Sequence, residues 1–287
     1  LADLPQYLGS EAFRQFYEQS PQETEAPGTG QTTPTTSGQT ALRIRSSWDR
    51  EAVSLKLKNA GFGRGKRKAA DRILEYIEQH RVIALQDMRT NGIPASVKLA
   101  QAILESNAGH SKLAKATKNH FGIKAPAGRT ARQKIRAREY KALNDDEFVY
   151  QSPAIGAYNF YDDNRYDRFE VYNTVGDSYE RHNRLLKRDC RPGTKGCYSW
   201  IWETYRVGHD YDITPMAHIY ERSSHIAPEE FFNGRTTVPY YAAAAAGLKM
   251  SGYATSATYH KKLFYLIETY ELWRFDLDLI KALNGNG

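Results

Sequence analysis

Long apolar runs are missing from this chain of 287 residues. The longest, Tyr240 to Leu248, falls well short of the ~20 residues that a membrane-crossing helix needs, which excludes an integral helical membrane protein. Cysteine is scarce: 2 residues cannot form a disulfide framework or a four-cysteine zinc site. Acidic side chains are outnumbered, 33 Asp and Glu against 40 Lys and Arg, for a net charge of +7. That balance favours polyanionic neighbours such as nucleic acid, anionic lipid or bacterial cell wall. Between Ser20 and Thr40 there is no aliphatic side chain larger than Ala26. Such a stretch cannot offset its ordering entropy and reads as a flexible linker over 20–45.

What is present is enough for a core: 40% hydrophobic and 12% aromatic residues, with 20 tyrosines. Ahead of the linker, Leu8, Phe13, Phe16 and Tyr17 predict a short helix over 1–19 capped by Ser10. The chain begins at Leu1, and the expectation is that a targeting segment has been removed. Gly61, Gly63 and Gly65 before Lys66, Arg67 and Lys68 match no phosphate-loop spacing and read as a solvated basic loop. From Lys68 to Thr90 the spacing of Ile73, Ile77, Ala84 and Met88 predicts a helix that Asn91-Gly92 stops. Pro94 opens a second, with Val97, Ala100, Ile103 and Leu104 on its apolar face, and Glu105 stands at its end. From Lys134 to Tyr172 short aromatic and charged segments alternate around turn residues, which predicts a small antiparallel β-lobe. Helices are predicted again at Asp177–Arg188, Tyr240–Met250 and Thr258–Leu283.

Three blocks carry a family resemblance. Ile93 to Ala125 contains Glu105-Ser106 with Gly109, followed by Asn119-His120-Phe121-Gly122-Ile123-Lys124. Phe169-Glu170-Val171-Tyr172 precedes Ser178 and His182, and Gly252-Tyr253-Ala254-Thr255 precedes Tyr259. Together they resemble the glucosaminidase domain of glycoside hydrolase family 73, found in bacterial autolysins. Two positions depart from the family pattern: Ser256-Ala257 stand where Asp-Pro is common, and Asn107-Ala108 where Gly-Trp is common.

The resemblance implies an α+β, mostly helical fold over 66–287: a lysozyme-like α-lobe, a small antiparallel β-lobe and an insertion at 190–238 before the C-terminal helices. It implies hydrolysis of β-1,4 bonds after N-acetylglucosamine in peptidoglycan, with no cofactor, in an exported protein of the periplasm, cell envelope or cell exterior. Glu105 becomes the general acid, the group that protonates the departing oxygen. For the second carboxylate the resemblance points to Glu139, in Arg138-Glu139-Tyr140. Asp145, Asp146 and Glu147 are rivals, and a substrate-assisted route needs no second carboxylate. Phe121 and Tyr253, and more weakly Tyr140 and Tyr172, are the sugar-binding candidates; Ser178 and His182 read as structural. A wall-binding protein and a lytic transglycosylase are the alternative functions, and the N-terminal segment suggests an anchor or docking partner. Basic stretches such as Arg129 to Arg138 are the only support for nucleic-acid binding, which is not expected.

Within the insertion, aromatic residues from Tyr198 to Phe232 read as a satellite core. Cys190 and Cys197 flank Pro192-Gly193 and Gly196, a tight reversal that predicts a disulfide in an oxidising compartment. His209, His218 and His225 fit no short zinc spacing, and no metal site is expected.

Overall fold

A computed structural model describes residues 46–62 and 64–285. The helix expected at 1–19 and the linker at 20–45 lie outside the described residues.

Helix α1 (Arg50–Asn59) starts at Asp49, whose carboxylate accepts from Ala52 N–H at 2.7 Å. The long helix α2 (Arg64–Asn91) buries Ala70, Leu74, Ile77, Ala84 and Met88 along one face. The stretch read as a basic loop is therefore helical from Arg64. Gly92, with φ of 71°, ends α2 by donating its N–H to Met88 at 2.8 Å.

Helix α3 (Ala95–Ser106) is the centre of the molecule, buried from Ala95 to Ile103. Its N-terminus is held by a carboxylate from the far end of the chain. Asp276 accepts from Ser96 N–H at 2.9 Å and from the Tyr240 hydroxyl at 2.8 Å. Burial pushes the Asp276 carboxyl up to about 6.

After α4 (Lys112–Thr117) the chain enters the small lobe. The expected strands there are fewer than the sequence suggested. Residues 129–147 form helix α5 (Arg129–Arg136) and two single helical turns, Tyr140–Ala142 and Asp145–Glu147. Ala131 and Ile135, one turn apart, face a cluster with Ala125, Leu143 and Phe148, a helical spacing that overrides the local β character. Strands are confined to β1 (Gly156–Asn159) and β2 (Arg168–Val171), antiparallel with Gly156 opposite Val171. Lys124 bridges to Phe169 on the other edge of β2.

Helix α6 (Val175–Leu186) returns to the main body. The insertion holds α7 (Ser199–Thr204), β3 (Asp210–Asp212), α8 (Thr214–Ser224), α9 (Pro228–Phe231) and β4 (Thr237–Pro239), with β3 and β4 paired antiparallel. Trp200, Ile201, Trp202, Tyr205, Tyr220 and Phe231 are all buried, giving it a core of its own. It seats on α10 (Tyr240–Met250) at Gly247, where a Cβ would lie 3.0 Å from Ile201 Cγ1.

Cys190 and Cys197 form a disulfide, with Cα atoms 5.6 Å apart. On the chain-entropy model so short a loop adds at most about 2.5 kcal/mol. The turn is also held by Gly196 N–H on Ser251 carbonyl at 2.7 Å and Gly193 N–H on the Tyr220 hydroxyl at 2.7 Å. Reduction should thus lower the melting temperature by a few degrees without unfolding the protein, as calorimetry with and without reductant would show. Global unfolding on reduction would contradict this.

The last predicted helix is two, α11 (Tyr259–Thr269) and α12 (Trp273–Asn284). Glu271 breaks them with φ of 54°, and its carboxylate takes Lys56 at 2.7 Å and Arg274 at 2.6 Å. Leu272, fully buried beside the break, keeps the apolar spacing continuous, which hid the break from the sequence.

Candidate active site

The end of α3 is built by its own side chains. Asn107, Ala108 and Gly109 are left-handed in succession, with φ of 52°, 51° and 74°. Ser106 secures this reversal: its hydroxyl donates to Ala102 carbonyl at 2.6 Å and accepts Gly109 N–H at 2.7 Å. A Cβ at Gly109 would meet His120 and Tyr76 rings at 3.4 Å. The Ser-x-x-Gly spacing thus fixes where the helix stops and where Glu105 stands.

Asn119 organises the next loop. Its amide donates to Ile123 carbonyl at 2.9 Å and Glu170 carbonyl at 3.0 Å, and accepts from Ile123 N–H at 3.1 Å. That bonding ties the loop to β2 and sets Lys124 at the lobe edge. Lys124 Nζ gathers three carboxylates of the β1–β2 connection: Asp162 at 3.0 Å, Asp163 at 2.7 Å and Asp167 at 3.1 Å.

The Glu105 side chain is exposed at the surface. Protein on its helix side nevertheless desolvates the carboxyl. Desolvation is the main reason its pKa rises to about 7, and the negative charge of Asp162 adds to it. The Tyr259 hydroxyl donates to the carboxylate, and Lys262 also favours ionisation; both act against the rise. Gln101, one turn earlier on α3, donates its amide to the Tyr259 oxygen at 3.2 Å. Tyr253 stacks on Tyr259 with centroids 5.5 Å apart, close enough for Glu105 to raise its hydroxyl pKa.

A family model for glucosaminidase, described as mannosyl-glycoprotein endo-beta-N-acetylglucosaminidase, matches residues 82–272. The chain belongs to the glucosaminidase family. That family is one of glycoside hydrolases. The catalytic domain of the autolysin Auto from Listeria monocytogenes is a solved structure with 24% identity and a TM-score of 0.40, covering 71% of this chain and 88% of that one. An N-acetylmuramoyl-L-alanine amidase from Staphylococcus aureus has 22% identity and a TM-score of 0.41, covering 75% of this chain and 47% of that one. No curated protein matches the chain.

Within this glucosaminidase domain the sequence candidates separate. Glu105 and Tyr253 come together around Tyr259. Phe121 does not join them: the ring is buried and stacks on His182 with centroids 3.9 Å apart. Tyr172 is likewise a core residue, its hydroxyl donating to Glu170 at 2.6 Å. Neither offers an open face to a sugar, because the loop and β2 that carry them pack inward. Tyr140 is half-buried and stacks on Tyr166 at 5.8 Å within the small-lobe cluster. Glu139 is exposed and precedes a helical turn rather than lying on a strand. Among its rivals, Asp145 pairs with Arg168 and Glu147 with Lys134.

Sequence reasoning missed Gln101, Tyr259 and Asp162 as parts of the site. Gln101 stands one helical turn before Glu105, and with Lys98 a further turn back it is a buried polar residue on a mostly apolar helix, which is a readable signal. Asp162 lies in a run of turn residues and carried none.

Proposed function

We propose that this protein hydrolyses β-1,4 glycosidic bonds of bacterial peptidoglycan after N-acetylglucosamine, with Glu105 as the general acid. The observation that carries the reading is the position of Glu105, at the end of the buried α3 and against the Tyr259 hydroxyl, where desolvation raises its carboxyl to about 7. A carboxyl with that pKa keeps its proton near neutrality and can deliver it to the departing oxygen. Family membership supports the bond class, and a neighbour named as an autolysin supports the wall as substrate. The net charge of +7 suits an acidic wall, and the disulfide suits an oxidising compartment.

In the proposed step, Glu105 gives its proton to the glycosidic oxygen as the bond to the anomeric carbon breaks. Water attacks that carbon, and a second carboxylate takes the water's proton. Glu139 holds that role by resemblance, and Asp162 is a rival through its charge. The charge of Asp162 bears on Glu105, and Lys124 holds the loop that carries it. We assign Asp162. Asp162→Asn should lower kcat at least ~10²-fold, whereas Glu139→Gln should stay within about twofold of wild type. The opposite ranking in a wall-digestion assay would return the role to Glu139.

Because Glu105 must be protonated, kcat/KM should fall above about pH 7, by about tenfold per pH unit. A profile flat to pH 9 would remove Glu105 from the acid role.

Mass spectrometry of fragments released from purified peptidoglycan tests substrate and bond. Reducing-end N-acetylglucosamine supports the proposal. Anhydro-muramyl ends would make the protein a lytic transglycosylase, and binding without release would make it a wall-binding protein.

A further inference from the structure

Lys98 is an unusual residue for a central helix: its side chain is 0% exposed. It lies among apolar neighbours on α3, two turns before Glu105. Burial of a lysine is costly unless its N–H groups find acceptors. Here the surroundings supply acceptors. Lys98 Nζ lies 3.0 Å from His182 Nδ1 and 3.9 Å from the Asp87 carboxylate, and 5.2 Å from the centre of the Phe121 ring. The Tyr179 ring lies on its other side at 6.0 Å. His182 Nδ1 is the hydrogen-bond acceptor among these, while Asp87 and the two rings favour the positive charge at longer range.

The consequence passes through His182, which is fully buried. Burial lowers the Lys98 pKa to about 7, and the Asp87 charge works against that fall. In the ammonium form, present below about pH 7, Nζ can only donate, so His182 Nδ1 accepts and the one proton of the neutral ring sits on Nε2. His182 Nε2 is 2.8 Å from the Tyr253 hydroxyl oxygen. That oxygen receives the Nε2–H, which leaves its own proton free to point elsewhere. Tyr253 is half-buried beside Tyr259 and Glu105, so the proton is left to face the Glu105 side.

We propose that Lys98, acting through His182, fixes Tyr253 as a one-way hydrogen-bond donor on the Glu105 side. Lys98 and His182 are positioning residues; Tyr253 is the group that touches the reacting region. The inference rests on the proposed function, which makes that region the place of reaction. A fixed donor there serves the Glu105 carboxylate once it has lost its proton, or a substrate oxygen gaining negative charge. It would rotate freely if the histidine could exchange tautomers. The arrangement also accounts for Phe121, whose ring covers His182 and the ammonium and keeps water from both.

The direct test is ring nitrogen NMR on the whole chain labelled with ¹⁵N-histidine, the His182 signals being assigned from a His182→Asn sample. In wild type the expected result is a neutral ring protonated on Nε2. A proton on Nδ1, or a mixture of tautomers, would overturn the proposal, and this reading requires neither catalysis nor a folded variant at position 98. Lys98→Met should release the tautomer, while Lys98→Gln, which keeps an N–H donor, should hold it on Nε2.

Kinetics supply the second readout. Lys98→Met and Tyr253→Phe should each lower kcat/KM for wall digestion by about tenfold, the scale of one hydrogen bond. The double variant should lose no more than the worse single one. Additive losses would mean that Lys98 acts through packing alone and would overturn the relay. If wild type digests no wall, the proposed function fails, and the NMR result still decides the tautomer.

Discussion

Glu105→Gln should reduce wall digestion by at least ~10²–10⁴-fold, the usual cost of losing a general acid. Glutamine keeps the shape of the protonated carboxyl and has no proton to give. The same substitution should leave the fold intact and change its pH dependence in a defined sense. The folded carboxyl holds its proton up to about pH 7, whereas an unfolded glutamate releases it near 4.5. Between those values the folded state binds more protons, so wild type loses stability as pH rises through the window. Glutamine does not titrate. The melting temperatures of the two proteins should therefore agree below about pH 4.5, and Glu105→Gln should be the more stable above about pH 7. Thermal denaturation at three or four pH values reads this directly. A variant less stable than wild type at pH 8 would show that Glu105 contributes to the fold as an anion, against the desolvation argued for it.

The second large effect concerns the joint between the small lobe and α6. Glu170 on β2 is 1% exposed and pairs with Arg181 on α6 at 3.1 Å. Its carboxylate also accepts from the Tyr172 hydroxyl at 2.6 Å and from Gln151 N–H at 3.2 Å. Removing only the cation leaves a buried carboxylate without its counter-charge. Arg181→Met should thus cost about 3–5 kcal/mol, measured as a shift of the denaturant midpoint. Replacing both partners, as in Arg181→Met with Glu170→Gln, should recover part of that loss, because no uncompensated charge remains. A single variant within about 0.5 kcal/mol of wild type would place the pair among surface-like ion pairs of small worth. Loss here should also depress activity, since Asn119 holds the backbone of the same Glu170 and sets Lys124 and its loop.

How legible was this in the sequence? The periodic helices were: α2, α3, α10 and much of α6 follow from apolar spacing and from stops such as Asn91-Gly92. The family was legible from three blocks, and the disulfide from glycines inside a short Cys190–Cys197 loop. The rest depended on contacts between residues distant in sequence. Arg129–Arg136 reads only as a basic stretch running into the expected β-lobe until Ala131 and Ile135 find Leu143 and Phe148. The break at Glu271 depends on Lys56, which lies far away in sequence. At the site, motif logic proposed Glu105 and Tyr253, which the fold brings together around Tyr259. It placed Phe121 and Tyr172 in the cleft because aromatic side chains next to a catalytic motif are ambiguous between sugar platform and core. Burial against His182 and Glu170 resolves that ambiguity, and no local pattern reports it. Asp162 was invisible for the converse reason: an acidic turn residue gains meaning only once the fold lets its charge bear on Glu105.

The central claim is that one carboxyl, Glu105, protonates the glycosidic oxygen of peptidoglycan. Its most direct test is digestion of purified peptidoglycan with wild type and Glu105→Gln side by side, with the new reducing ends identified and counted. Wild type should release fragments ending in reducing N-acetylglucosamine, and Glu105→Gln should release almost none. Equal release by both proteins, with the same ends, would contradict the account.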